Sequence, residues 1–331
     1  MRKRIVTLGE IMMRFSTPGH ERFIQAGNYD AEFGGSEANV GVSLAYWQQD
    51  VSLISALPEN DLGRAAMRYL RTGGIDTSYI ATSEGRMGLY FLENGAMQRS
   101  SKIIYDRFDS VFSHYEGLNV DWDQVFKGVD WFHWSGITPA LSGEAASLCL
   151  RVLQAAKRNG VTISGDINYR RNLWRYGITP LEIMPELIAH SQVIIAGLTD
   201  LANCMNIHET SFQKACQKAK DRCPSIQLVA TTERESLSAS HNRLTGHLWG
   251  KDQTIQSKTY DMPNIVDRIG GGDAFMAGLI YGLMHRNQKE ALEFAVAASV
   301  LKHSVPGDAN FVTVDEVDQL VRGENIGRLL R

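Results

Sequence analysis

The sequence predicts an α/β fold, a parallel sheet covered by helices, with a small β insertion. Three observations predict it. The chain has 331 residues, 44% hydrophobic and 21% charged, which is ordinary for a folded globular protein with ample core material. Short β-branched runs alternate with amphipathic helical patterns along most of the chain, as in βαβ architectures. Midway, the alternation lapses into two strand patterns with no long helix between them.

The elements follow in order. Ile5-Val6-Thr7-Leu8-Gly9 is a short β-branched run closed by glycine, a buried strand. A polar, irregular stretch runs to Tyr29. Gly34-Gly35-Ser36 precedes a helical pattern from Glu37 to Trp47, with Ser36 as its cap and Val40, Leu44 and Trp47 on one face. Val51–Leu57 is a second strand. Asn60 and Asp61 cap a helix to about Thr72, stopped by Gly73-Gly74. Met87–Leu92 and Ser101–Tyr105 are strands joined around Asn94-Gly95, a hairpin signal.

Alternation then resumes with Trp131–Trp134, Val161–Asp166, Val193–Ala196 and Ile226–Thr231 as strands. Gly143–Arg158, Leu181–Ala189 and Ser211–Arg222 are the helices between them. Ser236–Ser240 and His247–Trp249 read as a small hairpin. Two helices follow, about Gly272–His285 and Lys289–His303. With no repeat, low-complexity tract or Pro-rich linker, residues 1–331 are expected to form one domain.

Charge and cysteines exclude several functions. Lys and Arg number 34 against 37 Asp and Glu, a net charge of −3. Such a chain lacks the bulk basic surface that nucleic-acid binding requires. No stretch approaches the ~18 apolar residues of a membrane span. Cys149, Cys204, Cys216 and Cys223 form no C-x-x-C and no zinc spacing, so they read as buried, reduced thiols of a cytoplasmic protein.

The most informative stretch is Asp267-Arg268-Ile269-Gly270-Gly271-Gly272-Asp273-Ala274-Phe275. Three glycines allow a sharp turn and close backbone approach to a ligand. The free N–H groups at the start of the helix that follows make an anion site. An aspartate there would repel an anion as a ligand, but it fits a general base that activates a nucleophile aimed at that anion. By pattern alone, the same residues read as a flexible loop with Asp273 favourable in the first helical turn. Neither a Walker A loop nor a G-x-G-x-x-G after the first strand occurs.

This stretch resembles the C-terminal signature D-[ST]-x-G-A-G-D of the ribokinase/PfkB sugar kinases. Gly34-Gly35-Ser36-Glu37-Ala38-Asn39 resembles their N-terminal glycine pair and asparagine. Asp166-Ile167-Asn168-Tyr169-Arg170 and Ala230-Thr231-Thr232-Glu233-Arg234 resemble the 2-keto-3-deoxygluconate (KDG) kinase branch, which is the closest. The resemblance runs over about residues 4–328.

It implies a ribokinase-like three-layer α/β/α sandwich with a β lid, formed by about residues 10–33 and 86–108, and a homodimer through that lid. It implies ATP and Mg2+, with a monovalent cation as an open requirement, and no direct protein ligand to the metal. Asp273 would be the base, and Gly270, Gly271 and Gly272 the anion hole. Gly34, Gly35, Asn39, Tyr90, Tyr105, Arg107, Asn168 and Arg170 would meet the sugar acid, with Arg170 or Arg107 on its carboxylate. Asp200, Thr231, Arg234, His303 and Asn310 would serve the nucleotide. The family's N-x-x-E/D segment is replaced here, since Gly197 and Leu198 stand in its asparagine and acidic positions. Two other readings stay open: a kinase for another sugar or sugar acid, such as fructose, and a non-catalytic sugar or nucleotide sensor.

Overall fold

Local signals place most segment ends. The computed structural model describes residues 2–324; Met1 and residues 325–331, which the 1–331 expectation includes, lie outside the described residues. The first part of the chain runs β1 (Arg4–Leu8), β2 (Met12–Ser16), β3 (Asp30–Gly34), α1 (Ser36–Tyr46), β4 (Asp50–Pro58), α2 (Asp61–Thr72), β5 (Ile75–Asp76), β6 (Ile80–Ser83), β7 (Leu89–Glu93) and β8 (Lys102–Asp106). The middle runs α3 (Trp122–Phe126), β9 (Trp131–Ser135), α4 (Gly143–Arg158), β10 (Thr162–Asp166), α5 (Pro180–Ile188), β11 (Val193–Ile195), α6 (Leu198–Met205) and α7 (Phe212–Arg222). The last part runs β12 (Leu228–Ser236), β13 (Asn242–Gly250), β14 (Gln253–Gln256), β15 (Tyr260–Met262), α8 (Gly271–His285), α9 (Gln288–Lys302) and α10 (Val314–Arg322).

An eleven-stranded sheet forms the middle layer among the described residues, with the path β14-β13-β12-β11-β10-β9-β1-β4-β5. From β4 through β12 the neighbours on this path pair in parallel. Its strands carry apolar side chains on both faces, as strands covered on both sides must. Ile5 packs into one core cluster with Val40, Leu44 and Phe294, whereas Val6 and Leu8 pack into the other with Phe132, Trp134 and Leu148. Helices α1, α8, α9 and α10 pack on the first side, and α3 to α7 on the second. The chain leaves β1 in one direction toward β4 and in the other toward β9, so a switch point opens at the carboxyl ends of β1 and β9.

Caps define the helices. The Asn60 side chain accepts from the amides of Leu62 (3.0 Å) and Gly63 (3.1 Å) to start α2. Asn287 and Glu290 form a reciprocal box at the start of α9. Ser36 is not a cap: Gly35 holds that position, and Ser36 lies inside the first turn of α1.

Four strands form a second sheet in the order β3-β2-β7-β8. The stretch from Glu10 to Tyr29, expected to be irregular, contains β2. Its polar members hid it, because Arg14 and Ser16 are buried and satisfied internally rather than alternating toward solvent. β7 and β8 do form a hairpin, but residues 94–101 link them through an Ala96–Arg99 turn rather than a two-residue one. The expected small hairpin at Ser236–Ser240 and His247–Trp249 is a long one. β12 continues to Ser236 and pairs along its whole length with β13. Its outer half is exposed, so burial gives that half no apolar pattern. Helices α3, α6 and α10 and strands β3, β5, β6, β14 and β15 were not anticipated either. No helix among the described residues is long and apolar enough to cross a membrane. All four cysteines are buried and unpaired.

Candidate active site

The switch point, the start of α8 and the second sheet converge on one cleft of about 280 Å³. Asp166, Asn168 and Arg170 reach it from the end of β10, and Glu10 from the end of β1. Gly35 and Glu37 reach it from the start of α1. Tyr90, Tyr105 and Arg107 come from the second sheet, and Arg268, Gly270, Gly272 and Asp273 from the start of α8. Nine residues expected at the site are therefore together: Gly35, Tyr90, Tyr105, Arg107, Asn168, Arg170, Gly270, Gly272 and Asp273.

Gly270 caps α8 in the left-handed region, φ 79°, and a Cβ there would stand 1.9 Å from the Asp308 carbonyl oxygen. Only glycine fits such a turn without strain. The turn leaves the first amides of α8 free to face an anion. Asp273 lies one turn in. Ser36 Oγ donates to its Oδ1 at 2.8 Å, and Asn39 Nδ2 to its Oδ2 at 2.7 Å. Asn39 thus meets the aspartate rather than lining the cleft. Burial raises the Asp273 carboxyl above its ordinary range, against those two hydrogen bonds. A carboxylate so held has fixed orientation and increased basicity.

Behind the turn lies a buried ionic cluster that the sequence reading missed. Arg14 Nη2 donates to Asp267 at 2.7 Å and its Nη1 to Asp308 at 2.8 Å. Tyr90 donates its hydroxyl to Asp308. Asp267 also accepts from the amides of Ile269 (3.0 Å) and Gly307 (3.1 Å), which ties the loop before Asp308 to the turn. Lys302 is buried beside them. Gly34 belongs here too, since its missing Cβ makes room for the Asp308 carboxylate. The available signal was charge inside apolar runs: Arg14 in Met12-Met13-Arg14-Phe15, and Lys302 after Ala297-Ala298-Ser299-Val300-Leu301.

The two arginines expected near a carboxylate differ. Arg107 is buried and already paired, with Nη2 2.6 Å and Nε 2.8 Å from Glu10 Oε2. Arg170 is exposed at the cleft, touches only the Tyr169 carbonyl (3.3 Å), and makes no ion pair among the described residues. Asn168 adopts φ 41° and donates to Asp166 at 3.4 Å. It therefore braces its own turn as well as lining the cleft.

The remaining expected residues lie outside the lining. Asp200 caps α6, accepting from the Gly197 amide (2.8 Å) and the Tyr169 amide (3.0 Å). Thr231 and Arg234 stand on β12. Gly271 sits over the ring of His303, which is buried and held by Nδ1 against the Ser299 carbonyl at 2.6 Å. Burial lowers His303 to about 4, so it is neutral. Asn310 is buried and accepts from the Val312 amide at 3.2 Å. His303 thus stands behind the turn, and Asn310 is held within its own loop.

Asp166 tests the fit of a magnesium ion. Burial, then the charge of Asp200, pushes its carboxyl up to about 8. Two neighbouring carboxylates of this kind gain from a cation. Both Asp200 oxygens are taken by the Gly197 and Tyr169 amides, so Asp166, at the cleft, would face the water shell of an Mg2+ arriving with a nucleotide, and the ion would neutralise phosphate charge.

The sequence profile of the pfkB family carbohydrate kinases matches residues 2–314. The chain belongs to this family. A "2-dehydro-3-deoxygalactonokinase" of Haloferax volcanii is 30% identical over 330 residues, covering 99% of each chain. A crystal structure of a 2-dehydro-3-deoxygluconokinase from Thermotoga maritima superimposes with a TM-score of 0.92 at 38% identity, over 97% of this chain and 100% of that one. A "5-dehydro-2-deoxygluconokinase" of Geobacillus thermodenitrificans is 26% identical over 306 residues, 90% of this chain and 86% of its own. This pfkB kinase is thus a sugar phosphotransferase with the ribokinase-like fold. Kinases of the family use ATP, typically with Mg2+.

Proposed function

We propose that this kinase transfers the γ-phosphoryl group of ATP to KDG, giving 2-keto-3-deoxy-6-phosphogluconate. One observation carries the reading: Asp273, held by Ser36 and Asn39 behind the glycine turn, faces a cleft walled by the unpaired Arg170. Arg170 supplies a bidentate partner for the sugar carboxylate. Tyr105 and the Glu10-paired Arg107 bound the sugar from above, and Gly35 and Asn168 from the core side. Asp273 takes the proton of the 6-hydroxyl as its oxygen bonds to the γ-phosphorus. The bond to the β-γ bridging oxygen breaks, and ADP leaves. The amides of Gly270–Gly272 receive charge on the transferring group. Mg2+ supplies charge neutralisation on the phosphates. Thr231 and Arg234 lie on the nucleotide side.

Asp273→Asn tests the base. It is expected to keep KDG and ATP binding while kcat falls about 10³-fold. Wild-type turnover in this variant would refute the assignment. A second reading, another keto-deoxy sugar acid as acceptor, is supported by the names of the Haloferax and Geobacillus relatives.

The second sheet is the lid of this reading, and its edge supports a dimer in the cytoplasm. β8 is exposed along its length and carries Ile103, Ile104 and Tyr105. Exposed apolar edge strands pair readily. Sedimentation velocity should give a dimer that Ile104→Lys dissociates; a monomeric wild type at micromolar concentration would contradict it.

A further inference from the structure

Lys302 ends α9 with a relative exposure of 0%. Burying an ammonium is costly unless nearby charges and acceptors compensate. Its Nζ donates to the Val305 carbonyl at 3.1 Å, its one acceptor among the described residues. Its Cε lies 3.1 Å from where a Gly270 Cβ would stand, so the side chain runs directly behind the glycine turn. Burial holds the Lys302 ammonium below the usual lysine range; the charges of Asp267, Asp308 and Asp273 oppose that shift, and that of Arg14 adds to it.

Carboxylates outnumber Arg14 in the cluster: it pairs with Asp267 and Asp308, and its Nη1 also stands 3.8 Å from Glu32. Lys302 adds a second positive charge to the same two carboxylates, and it is the cation that touches the turn. A lysine in the last turn also complements the dipole of α9, but an exposed side chain would do that without desolvation. Only the buried position puts the charge behind Gly270.

We propose that Lys302 is a built-in cation of the phosphoryl site, fixing the Gly270 turn and supplying the positive charge that a bound monovalent ion would otherwise bring. The proposal rests on the reading of Gly270–Gly272 as the phosphoryl-binding turn. A monovalent cation therefore does not fit here, because the Val305 carbonyl that would help hold it already accepts from an ammonium beside the turn.

Two experiments test this. Wild-type rates in K+, Na+ and tetramethylammonium at equal ionic strength should agree within about twofold. Lys302→Ala should lose about tenfold or more of kcat in tetramethylammonium, keep the sugar KM within about threefold, and recover in K+ or NH4+. Rubidium soaks give a readout that needs no turnover. Anomalous scattering should show no Rb+ beside the Val305 carbonyl in wild-type crystals, and an Rb+ there in Lys302→Ala. Activation of the wild type about tenfold by K+, Rb+ bound there in the wild type, or a folded variant that no cation restores would each overturn the proposal. The wild-type measurements decide the matter if the variant fails to fold. The rubidium result also stands if KDG proves not to be the substrate, so the two failures are distinguishable.

Discussion

Asp273 carries two hydrogen bonds and a raised proton affinity, and both bear on rate. As a base it works only when ionised. Its folded pKa is raised by burial, so activity is present above that value and lost as pH falls through it. The acid limb of kcat/KM is therefore expected above the ordinary aspartate value of about 3.9. A profile flat down to about pH 4 would contradict a raised base. Stability runs the opposite way with pH. Folded Asp166 and Glu37, pushed to about 8 and about 7, hold protons that the unfolded chain releases, so their contribution weakens as pH rises. Asp273 was legible in the sequence because an aspartate behind three glycines has few chemical uses. Asp308, Arg14 and Lys302 were not, because their partners lie far away in sequence, such as 253 residues between Arg14 and Asp267.

At the scale of elements, β2 links the second sheet to the glycine turn through Arg14. Removing Arg14 leaves two buried carboxylates without the cation that hydrogen-bonds them, which costs about 3–5 kcal/mol. Arg14→Met should lower unfolding free energy by that amount in a urea titration; a loss under about 1 kcal/mol would contradict the linkage. This coupling also explains which elements could be read. Strands with apolar, β-branched runs such as β1 and β11, and helices with caps such as α2, are set by local residues. β2 is set by tertiary charge pairing, and the outer half of β12 by backbone pairing with β13. Neither leaves a local apolar period. α6 is short, and its start is fixed by Asp200 reaching back to Gly197 rather than by a distinct cap side chain.

For the whole molecule, two sheets meet around one cleft. The large sheet supplies rigid strand ends, and the small one supplies the aromatic and arginine wall. The sequence pattern conveyed the layers, because alternation dictates them. The relation of the small sheet to the cleft came from the resemblance, and Tyr90, Tyr105 and Arg107 of that sheet do line the cleft. The net charge of −3 does not reveal this arrangement, in which Arg107, Arg170 and Arg268 stand among five carboxyl groups lining one cleft. The central claim is transfer to a sugar acid held by Arg170. It is tested most directly by kcat/KM for KDG, its galactonate epimer and fructose, in wild type and Arg170→Ala. The account predicts that wild type prefers a keto-deoxy sugar acid to fructose by more than about 10-fold, and that Arg170→Ala raises the KM for that acid by about 10- to 100-fold with ATP KM unchanged. Equal wild-type activity on fructose and the acids, or an unchanged KM in Arg170→Ala, would contradict it.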